Sequence, residues 1–299
     1  MTNFNNVIIA VLLSISISSL SAAEKLNEGK TLIWAGCGIT KKAFMKELAQ
    51  AYEKKTGIKI VLNGGGATKG IRQAAAGKIH IGGACRVSLP SNSLERNAHQ
   101  IPVAWDALVV IVNKNNPVSS ITLRQLRDVY LGKVTNWNQL GGNNQKIELY
   151  SRKSKLSGVG RTLRELVFAN YNQDFKNVKY KVKSSGPLEK GIVKNIRGIG
   201  TTGISSAKKR DVKILKLNGI EPSYANIKNG SYLIYRPLYL VRPIGDTNKM
   251  VSDFIKYALS REGKKVIRKA GTVPYADAMV LVMKQLEQYR LASKAGLIN

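Results

Sequence analysis

Acidic residues are scarce in this sequence. Against 48 Lys and Arg it sets only 18 Asp and Glu over 299 residues, for a formal charge of +30. Such an excess attracts anions over long range and speeds their capture. It also admits contact with nucleic acid or anionic lipid. Nucleic acid is nevertheless not expected as the main ligand. The basic residues are dispersed, as in Lys41-Lys42, Lys54-Lys55, Lys208-Lys209-Arg210 and Lys264-Lys265; there is no basic tail, and aromatic residues make up only 7%. Histidine is nearly missing: His80 and His99 stand alone and read as structural or solvated groups rather than metal ligands. Cysteine is limited to Cys37 and Cys85, an incomplete set for structural zinc, so no metal is expected. No nucleophile–base pair is evident, so neither an enzyme nor a cofactor is implied. The chain also lacks internal repeats and low-complexity tracts.

The first apolar run, Val7 to Leu20, is too short for a comfortable membrane span. Ser21-Ala22-Ala23 follows it, and small residues at 21 and 23 fit a secretory cleavage site before Glu24. Residues 1–23 are therefore expected to be a signal peptide and the mature chain periplasmic. No cysteine stands at the cleavage point, so a lipid anchor is not expected. Export places Cys37 and Cys85 where a disulfide can form. Their spacing leaves open a bridge, two free thiols lining a pocket, or unrelated burial; free thiols would suit a thiophilic ligand such as arsenite.

What the chain does have is three glycine-rich turns, each following a short apolar run and leading into or toward a helix. They are Gly36-Cys37-Gly38-Ile39-Thr40, Gly64-Gly65-Gly66-Ala67-Thr68 and Ser157-Gly158-Val159-Gly160. Glycine lets the backbone turn tightly and approach a ligand closely. A helix starting there aims unpaired N–H groups and its positive dipole end at one spot. Three such starts suggest helix N-termini converging on a small anion.

The coarse pattern is α/β. Thr31–Trp34, Ile58–Leu62 and Ile79–Ile81 read as strands alternating with helices over Ala43–Lys55 and Lys69–Ala76, which implies a parallel sheet with helices on its faces. Ligands bind beyond the carboxyl ends of such strands. Helices are expected over Leu123–Tyr130, Arg161–Asn170 and Ala276–Ala295, and strands over Ile147–Tyr150, Ile199–Ile204 and Val212–Leu215. Two long extended runs, near 103–112 and 231–241, would cross between two lobes as a double hinge able to close around a ligand. The expected lobes are 24–104 plus 238–299, and 105–237.

Several segments resemble the periplasmic phosphate-binding proteins of phosphate ABC transporters. The similarity runs through Trp105-Asp106-Ala107-Leu108-Val109-Val110, Asn116-Pro117-Val118, Tyr130-Leu131-Gly132-Lys133, Thr135-Asn136-Trp137 and Tyr235-Arg236-Pro237-Leu238-Tyr239. The resemblance covers essentially the whole mature chain. It implies the two-lobe periplasmic-binding-protein fold of type II, with inorganic phosphate or a related oxyanion as ligand. It also implies an ABC transporter permease as partner and a monomer as the working form. The implied ligand positions are Thr40, Thr68, Cys85, Arg86, Arg152, Ser157 and Gly158. Several depart from the family pattern: Ala67 stands where serine is usual, Cys85 where aspartate or serine is expected, and Val159 where threonine is expected. The interval from Arg152 to Ser157-Gly158 is also one residue longer. A carboxylate acceptor is thereby lost at position 85, and a thiol is a poor acceptor. The departures leave the choice of oxyanion open. A ligand-sensing subunit for a signalling partner, or a basic polyanion-binding envelope protein with a degenerate pocket, are the alternatives.

Overall fold

The computed structural model describes residues 29–294; the leader expected over 1–23 lies outside them. β1 (Thr31–Gly36) leads into α1, which covers 38–56 as an opening turn Gly38–Thr40, a π-helical turn Lys41–Met45 and a body Lys46–Thr56. Its apolar stripe buries Phe44, Leu48 and Tyr52. It ends at Gly57, whose φ of 72° is the left-handed conformation that glycine adopts without a Cβ clash. Next come β2 (Lys59–Asn63), α2 (Ala67–Ala75), β3 (Ile81–Ala84) and the long β4 (Ala98–Asn113).

The middle of the chain repeats this alternation. It comprises β5 (Ser120–Ile121), α3 (Leu123–Tyr130), β6 (Glu148–Arg152), α4 (Gly158–Phe168), β7 (Val178–Val182), α5 (Ser185–Val193) and β8 (Gly198–Gly203). The short elements α6 (Ile204–Ala207), β9 (Val212–Ile214), β10 (Lys216–Leu217) and α7 (Tyr224–Lys228) follow. β11 (Tyr235–Pro243) returns toward the start, ahead of α8 (Lys249–Leu259), α9 (Arg261–Lys269), β12 (Val273–Pro274) and α10 (Val280–Lys294). No helix among the described residues is long and apolar enough to cross a membrane.

The main sheet runs β2-β1-β3-β11-β4-β8-β6-β7. β1, β2 and β3 are parallel, as are β6, β7 and β8, while β11 and β4 run antiparallel to their neighbours. β4 belongs to both halves: Ala98–Ala107 faces β11 and Leu108–Val112 faces β8. The chain therefore crosses at 107–108 and comes back at 234–235, where the Leu108 amide donates to the Ile234 carbonyl at 2.9 Å.

Two hydrophobic cores divide along these crossings. The first gathers Leu32, Trp34, Phe44, Leu48, Ile71 and Phe254 and reaches Ala104 on β4 and Leu238 on β11. The second gathers Val110, Tyr130, Trp137, Ile199 and Tyr232 and starts from Trp105 and Tyr235 on the same strands. We propose lobe boundaries at these residues, with one amendment to the expected division. Val273, Ala278 and Leu281 pack in the second core rather than the first. The cause is local: β12 pairs with β4 at Ala104 and Trp105, and Tyr275 stacks on Trp105 with centroids 4.8 Å apart.

α2 lies so close to the sheet that a Cβ on Gly70 would stand 2.7 Å from the Ala35 carbonyl oxygen and 2.8 Å from that of Gly83. Both are backbone atoms that cannot swing away. Gly70→Ala should therefore lower stability by about 1–3 kcal/mol through overpacking, read as a fall in the thermal midpoint. An unchanged midpoint would mean that α2 has room to shift.

Candidate functional site

The site forms where helix starts from both halves meet. At α1, Cys37 is the N-cap: its sulfur accepts from the Thr40 amide at 3.3 Å and lies 2.9 Å from Thr40 Oγ1. Thr40 Oγ1 also donates to the Ala84 carbonyl at 3.2 Å, tying α1 to the end of β3. α2 starts after Gly66 (φ 88°) without a side-chain cap, so its first-turn amides keep their donor capacity. At α4, Ser157 Oγ accepts from the Gly160 amide at 3.1 Å. Gly158 then meets Cys85 head on: a Cβ at 158 would lie 2.2 Å from Cys85 Sγ and 3.2 Å from Ala67 Cβ. Only glycine permits that approach. Thr40, Thr68, Cys85, Ser157 and Gly158 are thus brought to one place.

Two arginines complete it. Arg152, at the end of β6, donates from Nη1 to Ser185 Oγ at 3.2 Å and from Nη2 to the Lys183 carbonyl at 2.6 Å. Arg236, on β11, donates from Nη1 to the Gly158 carbonyl at 3.2 Å and from Nη2 to Asp106 Oδ2 at 3.5 Å. In both, Nε is buried and has no hydrogen-bond partner. Burial pushes the Arg152 pKa down. Burial acts the same way on Arg236, but the neighbouring Cys85 and Asp106 outweigh it and hold the pKa up. Asp106 accepts from the Ser205 amide at 3.2 Å and from Ser205 Oγ at 2.5 Å, and burial raises its pKa against the pull of Arg236.

Arg86 does not belong to the set, contrary to the sequence-based expectation. It is 2% exposed. Nη1 and Nη2 each donate to Glu95 at 2.8 Å, and the remaining donors reach the carbonyls of Val87 and Leu156 and the hydroxyl of Thr68. With all its donors engaged and its charge matched, it has nothing to offer an anion. The Thr68 hydroxyl is likewise engaged, donating to the Leu156 carbonyl at 3.0 Å. Only its backbone amide remains for a ligand. Arg86 and Thr68 instead clamp the loop before α4 onto the first lobe.

The bridge held open for Cys37 and Cys85 is not formed. Both thiols are free and buried, and the Cys37 sulfur is instead the acceptor that caps α1. The two thiols act on each other's titration. Burial alone would raise the Cys37 pKa, but hydrogen bonds from Cys85 and Thr40, and the charge of Arg236, bring it down to about 7. The bond to Cys37 and burial push Cys85 up correspondingly. Among the described residues there is no cluster of three or more metal-ligating side chains. A groove of about 490 Å³ lined by Ile79, His80, Pro243, Asn248 and Lys249 shares no residue with the site.

Sequence reading missed Arg236. Its signal was present: one arginine inside an apolar crossing strand, opposite Asp106 in register.

Two parallel half-sheets, two crossing strands and a polar site between the halves define a periplasmic-binding-protein fold of type II. The chain belongs to the family described as the PBP superfamily domain, whose model matches residues 27–262. It is 24% identical over 272 residues to the phosphate-binding protein PstS of Borreliella burgdorferi, covering 88% of this chain and 97% of that one. It is 26% identical to the PstS of Bacillus subtilis, covering 76% and 75%. It is also similar to a solved structure from Clostridium perfringens, described as a phosphate ABC transporter substrate-binding protein with bound phosphate. The identity there is 29% and the TM-score 0.73, over 82% of this chain and 99% of that one.

The structural role of Arg86 has a direct test. Glu95→Ala leaves a buried guanidinium unpaired and should destabilise the protein by about 3–5 kcal/mol, measured by thermal or urea unfolding. Burial opposes ionisation of Glu95, yet its bonds to Arg86 hold the folded pKa below the ordinary value. The pair's stabilisation is therefore complete above the unfolded carboxylate pKa and fades as pH falls through the folded one. A variant as stable as the parent would return Arg86 to the list of available cations.

Proposed function

We propose that this chain is an exported solute-binding protein. In this reading it captures inorganic phosphate or a related oxyanion between its lobes and hands it to the permease of an ABC transporter. The observation that carries the reading is two guanidiniums, Arg236 buried and Arg152 half-buried, each with a buried, unpartnered Nε beside helix starts from both lobes. A buried N–H without a partner costs free energy. A tetrahedral oxyanion presents several acceptor oxygens, and charge-assisted bonds to it are stronger than neutral ones. The first-turn amides of α2 and α4 supply further donors along favourable dipoles. Relatives described as phosphate-binding proteins and a phosphate-bound structural neighbour support the same ligand. Arg152, Arg236, Ser157, Gly158 and the backbone of Thr68 are the proposed contacts, with Cys85 and Thr40 framing them. No chemical step is proposed. Neither a sensor role nor polyanion binding has an observation of its own in its favour.

Calorimetry with phosphate, arsenate and sulfate tests this. Phosphate should bind, and Arg152→Ala and Arg236→Met should each weaken it by about 1.5–3 kcal/mol, the range for hydrogen bonds to charged groups. Parent-like binding by both variants would place the anion elsewhere. Export through residues 1–23 and action as a monomer belong to the same reading. The protein recovered from the cell envelope should begin near Glu24, and a retained Met1 on N-terminal sequencing would exclude it.

A further inference from the structure

The thiol pair supplies no contact to the ligand in the function proposed above, yet it sits against the site. Cys37 and Cys85 are 4% and 1% exposed, and the Cys85 sulfur meets Gly158 of the opposite lobe. Their placement also suits a covalent bond. β1 and β3 are parallel neighbours with Gly36 opposite Gly83, and the Cys37 amide donates to the Gly83 carbonyl at 3.0 Å. Cys37 follows its strand partner by one residue and Cys85 by two. With strands about 4.8 Å apart and about 3.3 Å of rise per residue, the Cα atoms would be about 6 Å apart. That lies inside the range a disulfide spans without backbone movement.

We propose that Cys37 and Cys85 form a dithiol–disulfide couple that sets the anion affinity of the inter-lobe site. The inference rests on the functional reading above. The charged groups facing the pair are Arg236 from β11, Arg152 from β6 and Asp106 from β4. In the reduced state Cys37 carries negative charge once the pH passes about 7. That charge lies among the guanidiniums that would hold the anion, so it competes with the ligand. The disulfide is neutral and removes the competition.

The oxidant is a low-molecular-weight disulfide. The Cys37 thiolate attacks one of its sulfurs and expels the other as a thiolate, leaving a mixed disulfide on Cys37. Cys85, after losing its proton to solvent, attacks Cys37 Sγ and expels the second thiolate. The protein loses two electrons and two protons, and the small disulfide becomes two thiols. Cys37 suits the first step by its pKa, since a thiol with a pKa near the ambient pH attacks fastest, and being buried it meets the small disulfide when the lobes part.

The test compares the purified mature protein after treatment with a phosphine reductant and after oxidised glutathione. Oxidation should remove both thiols, counted in the denatured protein, with a mass loss of two hydrogens and no dimer. Phosphate should then bind the oxidised form about tenfold tighter than the reduced form at pH 8, within the usual range of coupling between sites. The ratio should shrink toward one at pH 6, where the reduced pair is neutral; taking it at each pH cancels the titration of phosphate itself. In a Cys37→Ser/Cys85→Ser variant the two treatments should give the same affinity. Retention of both thiols overturns the couple whatever phosphate does. Equal affinities of the two forms at pH 8, with the disulfide formed, overturn its control of the site. If the disulfide forms and neither state binds phosphate, the functional reading falls, and the control of affinity falls with it.

Discussion

Incomplete compensation of two positive charges drawn from water, Arg236 fully and Arg152 in part, is the constraint on which this structure turns. A guanidinium removed from water needs a carboxylate or a full set of acceptors. Arg86 has both: a bidentate carboxylate and acceptors for every other donor. Arg152 has a hydroxyl and a carbonyl but no carboxylate partner among the described residues. Arg236 has one carboxylate at 3.5 Å, and that carboxylate is shared with Ser205. The three arginines are similar in sequence terms, and their bonding separates them. The satisfied one holds the fold together, and the unsatisfied pair has capacity left for a ligand.

That capacity is useful only if both lobes supply it at one point, and glycine makes this geometry reachable. Gly158 brings the start of α4 against Cys85, and the absence of a side chain there sets the distance between the lobes. Around this contact other bonds bridge the same gap. Thr162 Oγ1 donates to the Cys85 carbonyl at 3.3 Å, and Lys42 on α1 reaches Ser206 at 2.6 Å and Glu189 at 3.4 Å. Glu189 is buried and accepts from Thr202, Ser206, Lys42 and Arg210. Of these, only the Thr162 and Lys42 bonds cross between the lobes; Glu189 holds Thr202, Ser206 and Arg210 within the second.

Much of the architecture was legible because local chemistry and tertiary role agree. Leu123–Tyr130 was read to the residue, since Thr122 and Gln125 form a capping box and Leu126 and Val129 mark the buried face. β3 was displaced: the expected Ile79–Ile81 became Ile81–Ala84. Gly82 and Gly83 are strand residues kept small by what packs on them. A Cβ on Gly83 would meet the Trp34 ring at 2.1 Å, and one on Gly82 the Gly70 carbonyl at 2.4 Å. The site was legible in its backbone and not in its charges. Glycine turns announce helix starts from local sequence alone. The role of an arginine depends on whether a distant carboxylate folds back onto it. Glu95 does so for Arg86 across nine positions, and only Asp106, in register on the next strand, does so for Arg236.

The scarcity of acids can be followed through to the site itself. Among the described residues Glu95, Asp106, Glu148 and Glu189 are the buried carboxylates, and each is matched to at least one Lys or Arg. The interior therefore draws on a small acidic pool to hold its own cations, and most of the +30 stays on the surface. A surface of one sign gives a field that gathers anions from solution, and this attraction weakens as salt screens it. It does not choose among them. Choice requires desolvation, and between the lobes Arg152 and Arg236 face a single buried carboxylate, Asp106. A negative thiolate there is worth more than one on the surface, because the surrounding medium screens it less. In the proposed function the chain thus separates two tasks that a positive protein could confuse: dispersed lysines raise the encounter rate, and two incompletely paired arginines decide what stays.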